Sequence, residues 1–145
     1  MTRKIDVWFD CEFQIKTMDR PVDIVTNALG IKPHRFFNKG DITIVKHTGS
    51  EISKQWGLWV ISTKEYKNKL PTLSEHINVL IKLLKNKESE ILNLKRQYGF
   101  EVSLWVTIET EYSVLAYDMS QIQLSFLNKL CDWIAFRVRS GHASN

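Results

Sequence analysis

Leu29-Gly30-Ile31-Lys32-Pro33, followed by Lys39-Gly40-Asp41 and then by Trp56-Gly57-Leu58-Trp59, is the stretch of sequence that decides the fold. Gly30 supplies the left-handed stop of a short helix, and Pro33 prevents that helix from resuming. Gly40 with Asp41 predicts a turn that leads into a strand. Within about thirty residues the chain therefore ends a helix, makes two turns and starts a strand.

Two long segments on either side of this stretch alternate apolar and polar residues. The first runs from Ile5 to Lys16 and the second from Phe100 to Glu109. Because successive side chains of a strand point to opposite faces, this period of two predicts two strands that each bury one face. Shorter strands are predicted within segments 42–45, 54–62, 114–117 and 134–138.

The longest predicted helix has clear signals at both ends. Thr72 and Glu75 match the Thr-x-x-Glu capping box, in which the hydroxyl and the carboxylate satisfy each other's backbone donors. An apolar stripe with helical spacing follows as far as Tyr98, with a candidate break near Asn86, and Gly99 is the predicted terminus.

The predicted order of elements is β-α-β-β-α-β-β-α-β, and a second capping box at Ser120 opens the last helix. This order predicts an α+β protein of ferredoxin-like type, with a mostly antiparallel sheet and helices packed on one face. We expect a single domain over residues 1–140, followed by a disordered tail over residues 141–145.

Composition excludes several classes of protein. Hydrophobic residues make up 43% of the 145 residues and charged residues 25%, which is typical of a globular protein and not of a disordered or membrane chain. No apolar run approaches the roughly 18 residues that a membrane span needs, and the N-terminus lacks the apolar segment of a signal peptide. We therefore expect a cytoplasmic protein that does not bind a membrane.

The sequence contains no metal or cofactor pattern. Cys11 and Cys131 fall in a predicted core strand and at a helix end, so buried thiols are favoured over a disulfide. The four histidines lack the close pairing that a zinc site needs. They are His34, His47, His76 and His142, of which His76 is predicted to lie at the surface or at an interface. No nucleophile can be paired with a base, so we predict no metal, no cofactor and no catalytic residue.

The order Leu29-Gly30-Ile31-x-Pro33, Lys39-Gly40-Asp41 and Trp56, ahead of a Leu/Ile-rich helix that carries His76, resembles a bacterial family catalogued as domain of unknown function 4279. The resemblance covers most of the chain. It implies a small bacterial protein without an assigned reaction, and therefore supports fold and size while implying no catalytic residue.

One face of the predicted sheet combines tryptophans with carboxylates. If the alternation holds, the residues that project from this face as candidate partner contacts are Trp8, Asp10, Glu12, Trp59, Trp105, Glu109, Trp133 and Arg137. Large apolar side chains grouped in water usually mark a contact surface. The alternatives are that arginines and lysines stack on the rings and pair with the acids, or that a loop or a second protomer covers the face.

The charge of this face suggests its partner. Six carboxylates, contributed also by Asp6, Glu101 and Glu111, would repel a nucleic-acid backbone, whereas tryptophans ringed by acids suit a basic protein surface. We therefore predict a non-enzymatic protein-binding module, in its specific form an immunity-type inhibitor of a bacterial toxin; self-association as a homodimer would also cover the face.

Two other functions remain open at this point. The net charge of +4 and the lysines and arginines from Lys82 to Arg96 allow a nucleic-acid-binding helix, although a solvated face is the default for such a charge pattern. A small enzyme with a pocket beside Lys39-Gly40-Asp41 and His34 is the third alternative.

Overall fold

The computed structural model describes residues 6–112 and 116–140. In chain order, the helices and strands of these residues are β1 (Val7–Met18), α1 (Asp23–Leu29), β2 (Arg35–Phe37), β3 (Ile42–Ile44), β4 (Glu51–Ser53), β5 (Gly57–Ser62), α2 (Leu73–Leu84), α3 (Glu88–Tyr98), β6 (Glu101–Thr110), α4 (Gln121–Leu130) and β7 (Trp133–Ser140). A single 3-10 turn, Lys64–Tyr66, follows β5.

Five strands form one mixed sheet in the order β2-β5-β1-β6-β7. The central strand β1 is antiparallel to both of its neighbours, β5 and β6, and β2 is antiparallel to β5, whereas β7 is parallel to β6. Strands β3 and β4 pair with each other as a two-stranded hairpin, and among the described strands neither joins the main sheet. The predicted α+β class and mostly antiparallel sheet are confirmed.

The helices cover one face of this sheet and enclose the core. Alternate residues of β1 and β6 point into the core, as their period-two patterns predict, and Phe13, Ile15 and Leu104 are fully buried there. They pack with the apolar stripes of the four helices, including Val25 of α1 and Leu127 of α4. No helix of the described residues packs on the opposite face of the sheet.

Backbone signals end the helices where the sequence places them. Gly30 ends α1 with φ 66° and Gly99 ends α3 with φ 71°, a conformation that costs glycine little. The capping box of Thr72 and Glu75 opens α2. Within the described residues, no helix is long and apolar enough to cross a membrane.

Several predicted boundaries differ from the structure. The long helix is two helices, because α2 stops at Leu84 and α3 starts at Glu88. The three-residue strand β2 was not predicted, since so short a segment carries no periodicity. The strand expected over 114–117 lies partly outside the described residues, and its last two residues are not in a strand; the predicted tail over 141–145 lies wholly outside them.

The predicted position of Trp59 on the outer face is wrong. Trp59 stands opposite Ile15 of β1, on the helix side of the sheet, and is fully buried. Its indole N–H donates to the Thr26 hydroxyl of α1 at 3.1 Å. Because both faces of β5 are largely apolar, alternation alone cannot tell its buried face from its outer one.

A close backbone contact sets the start of β5. The pairing of β1 with β5 shifts between Lys16 and Met18, so that Met18, with φ 57°, stands opposite Gly57. A Cβ at Gly57 would collide with the Thr17 hydroxyl, which itself donates to the Arg20 carbonyl. Gly57 is therefore required by this β-bulge.

His76 is buried, not at a surface as predicted, and it closes a chain of hydrogen bonds. The Cys11 backbone N–H donates to the Thr63 hydroxyl, whose oxygen lies 2.7 Å from His76 Nδ1. His76 Nε2 lies 2.9 Å from the Leu70 carbonyl. The Leu70 carbonyl can only accept, so Nε2 carries the proton of this hydrogen bond. Burial lowers the pKa of His76, which favours the neutral ring.

Candidate binding face

The uncovered side of the sheet is the candidate site. We call it the open face. It consists of the outward side chains of β1 from Asp10 to Lys16, of β6 from Glu101 to Glu109 and of β7 from Trp133 to Arg139. The residues that border it are Arg35, Phe37, Trp56, Leu58, Lys64 and Lys67. These side chains line a depression of about 630 Å³. Its volume lies within the range of pockets that hold small ligands, or the anchoring side chains of a partner.

Three tryptophans line the depression. Trp105 lies between Glu12 of β1 and Ala135 of β7, Trp133 lies beside Ser103, and Trp56 precedes β5. Trp133 and Trp56 are 44% and 41% exposed, so a partner could still cover much of both rings. The face therefore has aromatic anchors of the kind that dominate binding energies.

Cations of the same face stack on two of these rings. The Arg137 guanidinium lies 5.3 Å from the centroid of Trp105, and the Lys16 ammonium lies 3.9 Å from that of Trp56. Such cation–π contacts stabilise by about 0.5–1 kcal/mol where the pair is exposed. They also hold the rings in a fixed orientation, which lowers the entropy cost of binding.

The predicted acidity of the face is wrong. Six cations line the depression against four carboxylates, and three of the four are in ion pairs: Arg35 with Glu12 at 2.9 Å, Lys67 with Glu109 at 3.1 Å and Lys16 with Glu101 at 3.9 Å. The other two carboxylates counted in the prediction, Asp6 and Glu111, lie outside the lining of the depression. Asp6, just before β1, accepts a hydrogen bond from the Tyr112 hydroxyl. Much of the positive charge comes from Arg35 of β2 and from Lys64 and Lys67 in and after the 3-10 turn. The alternation of apolar and polar residues along a strand does not predict where these segments lie.

Asp10 is the exception among these carboxylates. Its Oδ1 is buried and has no hydrogen-bond partner among the described residues. Burial, and then the Glu12 charge, raise the pKa of Asp10. A buried carboxylate oxygen without a donor is rare, and a ligand N–H or an ordered water could supply the missing hydrogen bond.

A second, smaller depression adjoins Asp10. It measures about 440 Å³ and is lined in part by Asp10, Glu12, His34, Arg35 and Lys64. His34 uses Nδ1 to accept the Ser62 backbone N–H at 2.8 Å, which fixes its ring against β5. Among residues 6–112 and 116–140, no group of three or more acids, histidines or cysteines is placed to hold a metal ion.

The predicted partner contacts do not all meet. Asp10, Glu12, Trp105, Glu109, Trp133 and Arg137 line one depression. Trp8 lies toward the start of β1, where its indole N–H donates to Asn68 after the 3-10 turn. Sequence reasoning missed Arg35, Trp56, Lys64 and Lys67 as residues of this face. Trp56 falls within the predicted strand 54–62 but was not assigned to the face, and in the structure it precedes β5.

The remaining predicted residues are turn and cap positions. Pro33 follows α1, and Gly40 has φ 91° in the turn before β3. Asp41 accepts the Asn38 backbone N–H at 2.8 Å and closes that turn. The pattern Leu29-Gly30-Ile31-x-Pro33 to Lys39-Gly40-Asp41 thus shapes the backbone and lies outside the open face.

The basic segment from Lys82 to Arg96 crosses the break between α2 and α3. Lys95 pairs with Asp132 at 3.0 Å and donates to the Leu130 carbonyl at 2.9 Å. Arg96 donates to Asn93 on its own helix at 3.1 Å. Part of this charge is therefore used to hold the fold together.

Comparison with known families gives a match over most of the chain. The model of the family described as Domain of unknown function (DUF4279) matches residues 6–136, which run from the start of β1 into β7. Comparisons with curated proteins and with solved structures found no match. Because the family match covers most of the 145 residues, the chain belongs to the DUF4279 family.

Proposed function

We propose that this protein is a non-enzymatic protein-binding module that receives its partner on the open face. The observation that carries the proposal is the buried Asp10 oxygen, which no described residue donates to, in a depression walled by Trp56, Trp105 and Trp133. Aromatic rings supply buried area to a partner, and the carboxylate supplies a specific polar contact.

The charges of the open face constrain the partner. Asp10 requires a hydrogen-bond donor, for which an arginine or lysine side chain is suited because it also compensates the buried charge. Arg137 and Arg139 lie on β7 at the other side of the depression and suit an acidic group. The proposed partner segment thus presents a basic side chain beside Asp10, an aromatic or apolar side chain between the tryptophans, and an acid toward β7.

An immunity-type inhibitor that covers a toxin in the bacterial cytoplasm is the specific form of this proposal. Such inhibitors depend on a rigid surface with a few strong anchors, which a sheet backed by four helices would provide. A toxin reading frame beside the gene would support this form. Without one, the proposal reduces to protein binding on the open face.

A displayed random-peptide library tests the proposal without knowledge of the partner. The library is selected on the wild-type protein, and the recovered peptides are then tested on Trp105→Ala, on Asp10→Asn and on the control Ile44→Ser. Ile44 is 64% exposed on the β3–β4 hairpin, away from the open face. We expect basic, aromatic-containing peptides that bind wild type and control but neither open-face variant; peptides that bind all four proteins equally would contradict the proposal.

A nucleic-acid-binding function is the second candidate, and it is favoured by the cations of the open face rather than by the helices. Six cations around three tryptophans are a combination that binds single-stranded nucleic acid by stacking and phosphate contact. Fluorescence anisotropy with a single-stranded RNA would then show binding that weakens with salt. Loss with Arg137→Glu but not with Lys82→Glu would place it on the open face, and the reverse would place it on α2.

The ferredoxin-like topology is also a proposal. It is supported by four strands in the order β6-β1-β5-β2, all antiparallel to their neighbours, with β7 as an added parallel strand. Interstrand amide contacts measured by NMR would test it, and a different neighbour for β1 would contradict it.

A further inference from the structure

The strand β7 ends the sheet, and no described strand pairs with its outer side. It is eight residues long, and its sequence from Trp133 to Ser140 contains no proline, lysine or glycine. Natural proteins usually protect so long an edge with prolines, lysines, bulges or a covering element, because its free N–H and C=O groups can pair with another chain. We propose that β7 pairs antiparallel with β7 of a second copy of this chain, around a twofold axis at Phe136.

Matching the two faces restricts the register of the pair to an axis that lies on a residue. Across an antiparallel pair, facing residues lie on the same side of the sheet, so open-face residues of one copy must face open-face residues of the other. An axis at Phe136 satisfies this rule for seven of the residues of β7. The facing pairs are Phe136 with Phe136, Ala135 with Arg137, Ile134 with Val138, and Trp133 with Arg139.

The charges favour this axis over its neighbours. Centring on Phe136 places each Arg139 against the Trp133 ring of the other copy, a cation–π contact like that of Arg137 with Trp105 within one chain. Centring on Arg137 would place two arginines directly opposite each other, which destabilises a strand pair. Centring on Ala135 would bring Asp132 and Cys131, which precede the strand, against Val138 and Arg139. The apolar Val138 side chain would then face a carboxylate instead of Ile134.

The helix side of β7 supplies the apolar contact. Phe136 and Val138 are 44% and 62% exposed, although both point to the side of the sheet that carries the core. The Tyr117 ring lies against that of Phe136 at a tilt of 32°, with the ring centroids 5.7 Å apart, and Tyr117 is itself 41% exposed. Pairing at the proposed register would cover Phe136 with its own copy and Val138 with Ile134.

The dimer would be one continuous sheet made of the two five-stranded sheets. Because the twofold axis is perpendicular to such a sheet, both open faces would lie on the same side. This inference does not depend on the proposed function, since β7 would pair whether or not the open face binds a partner.

Light scattering of the full chain during size-exclusion chromatography provides the first test. We expect a mass of twice 17.0 kDa for the wild type and a single chain mass for Val138→Lys, which sets a charge against Ile134. Ile44→Lys is the matched control, because Ile44 is 64% exposed and Val138 62%, and it should remain a dimer. A monomeric wild type at high micromolar concentration, or a Val138→Lys variant that remains a dimer, would overturn the proposal.

Single cysteines test the register. Phe136→Cys would face its own copy at a Cα distance suited to a disulfide, so mild oxidation should link the two chains. The two copies of Val138→Cys would stand about 13 Å apart along the strands, too far to link. Equal cross-linking of the two variants, or none for Phe136→Cys, would contradict an axis at Phe136; the wild type reports any linkage through the native cysteines.

Discussion

Arg137 lies over the ring of Trp105, with its guanidinium carbon 5.3 Å from the ring centroid. Two of the three tryptophans of the open face, Trp105 and Trp56, are therefore part of a network of stacked cations and ion pairs, which was one of the alternatives that the sequence left open. Such a network fixes the rings before a partner arrives. It also leaves Asp10 as the one carboxylate of the depression that has no ion pair of 4.0 Å or less within the described residues.

Asp10→Asn should make the protein more stable at pH 7, by about 1 kcal/mol. Burial raises the pKa of Asp10, so its ionisation opposes folding once the pH exceeds the carboxyl's ordinary pKa near 4. Urea unfolding should show the gain at pH 7 and little gain below pH about 4, where both states are protonated. Glu101→Gln is the control, because it removes an open-face carboxylate that pairs with Lys16 and should not stabilise. An Asp10→Asn variant that is less stable at pH 7 would contradict this account of Asp10.

His76 should make the fold sensitive to mild acid. Its folded-state pKa is lowered by burial, so the unfolded chain binds more protons below pH about 6.5 and the free energy of unfolding falls as the pH drops from there. His76→Gln should be less stable at pH 7.5 but lose less further stability on acidification to pH 5. An unchanged slope in His76→Gln would show that the buried ring does not govern this range.

Gly57→Ala should lower the free energy of unfolding by about 1–3 kcal/mol, the usual range for overpacking a tight site. The added methyl group would collide with the Thr17 hydroxyl and lie 3.2 Å from the Arg20 carbonyl, in the bulge that joins β1 to β5. Gly57→Ala combined with Thr17→Ser keeps the clashing hydroxyl, whereas combination with Thr17→Ala removes it. Thermal or urea unfolding should therefore show partial rescue by Thr17→Ala only; a neutral Gly57→Ala would contradict the close contact.

Both thiols should be unreactive in the folded protein. Burial raises the pKa of Cys11 and of Cys131 to about 12, so neither forms a thiolate at pH 8. A chromogenic disulfide reagent should label both thiols quickly in denaturant and slowly in buffer. Fast labelling of the native protein at either cysteine would show that its surroundings are more open than the structure indicates.

The sequence predicted the parts of the fold that local patterns control. The alternation of β1 and β6 is long and strict, and the helix ends at Gly30 and Gly99 depend on backbone conformation alone. The face of Trp59 could not be predicted, because β5 is apolar on both sides and its register is set by the bulge opposite Gly57.

The candidate site was predicted in part for a related reason. Strand alternation correctly places Asp10, Trp105 and Trp133 on one surface, since each belongs to a long strand. It cannot place Arg35 or Lys67, which reach the same surface from a three-residue strand and from beyond a 3-10 turn. The charge of the face, and with it the kind of partner, depends on these tertiary neighbours.

We propose that the open face binds a protein through its tryptophans. The most direct test is the dissociation constant of a peptide selected on the wild type, determined by calorimetry for wild type, Trp105→Ala and the control Ile44→Ser. We expect at least about tenfold weaker binding to Trp105→Ala, a loss of about 1.4 kcal/mol or more, and unchanged binding to the control. Equal dissociation constants for all three folded proteins would contradict it.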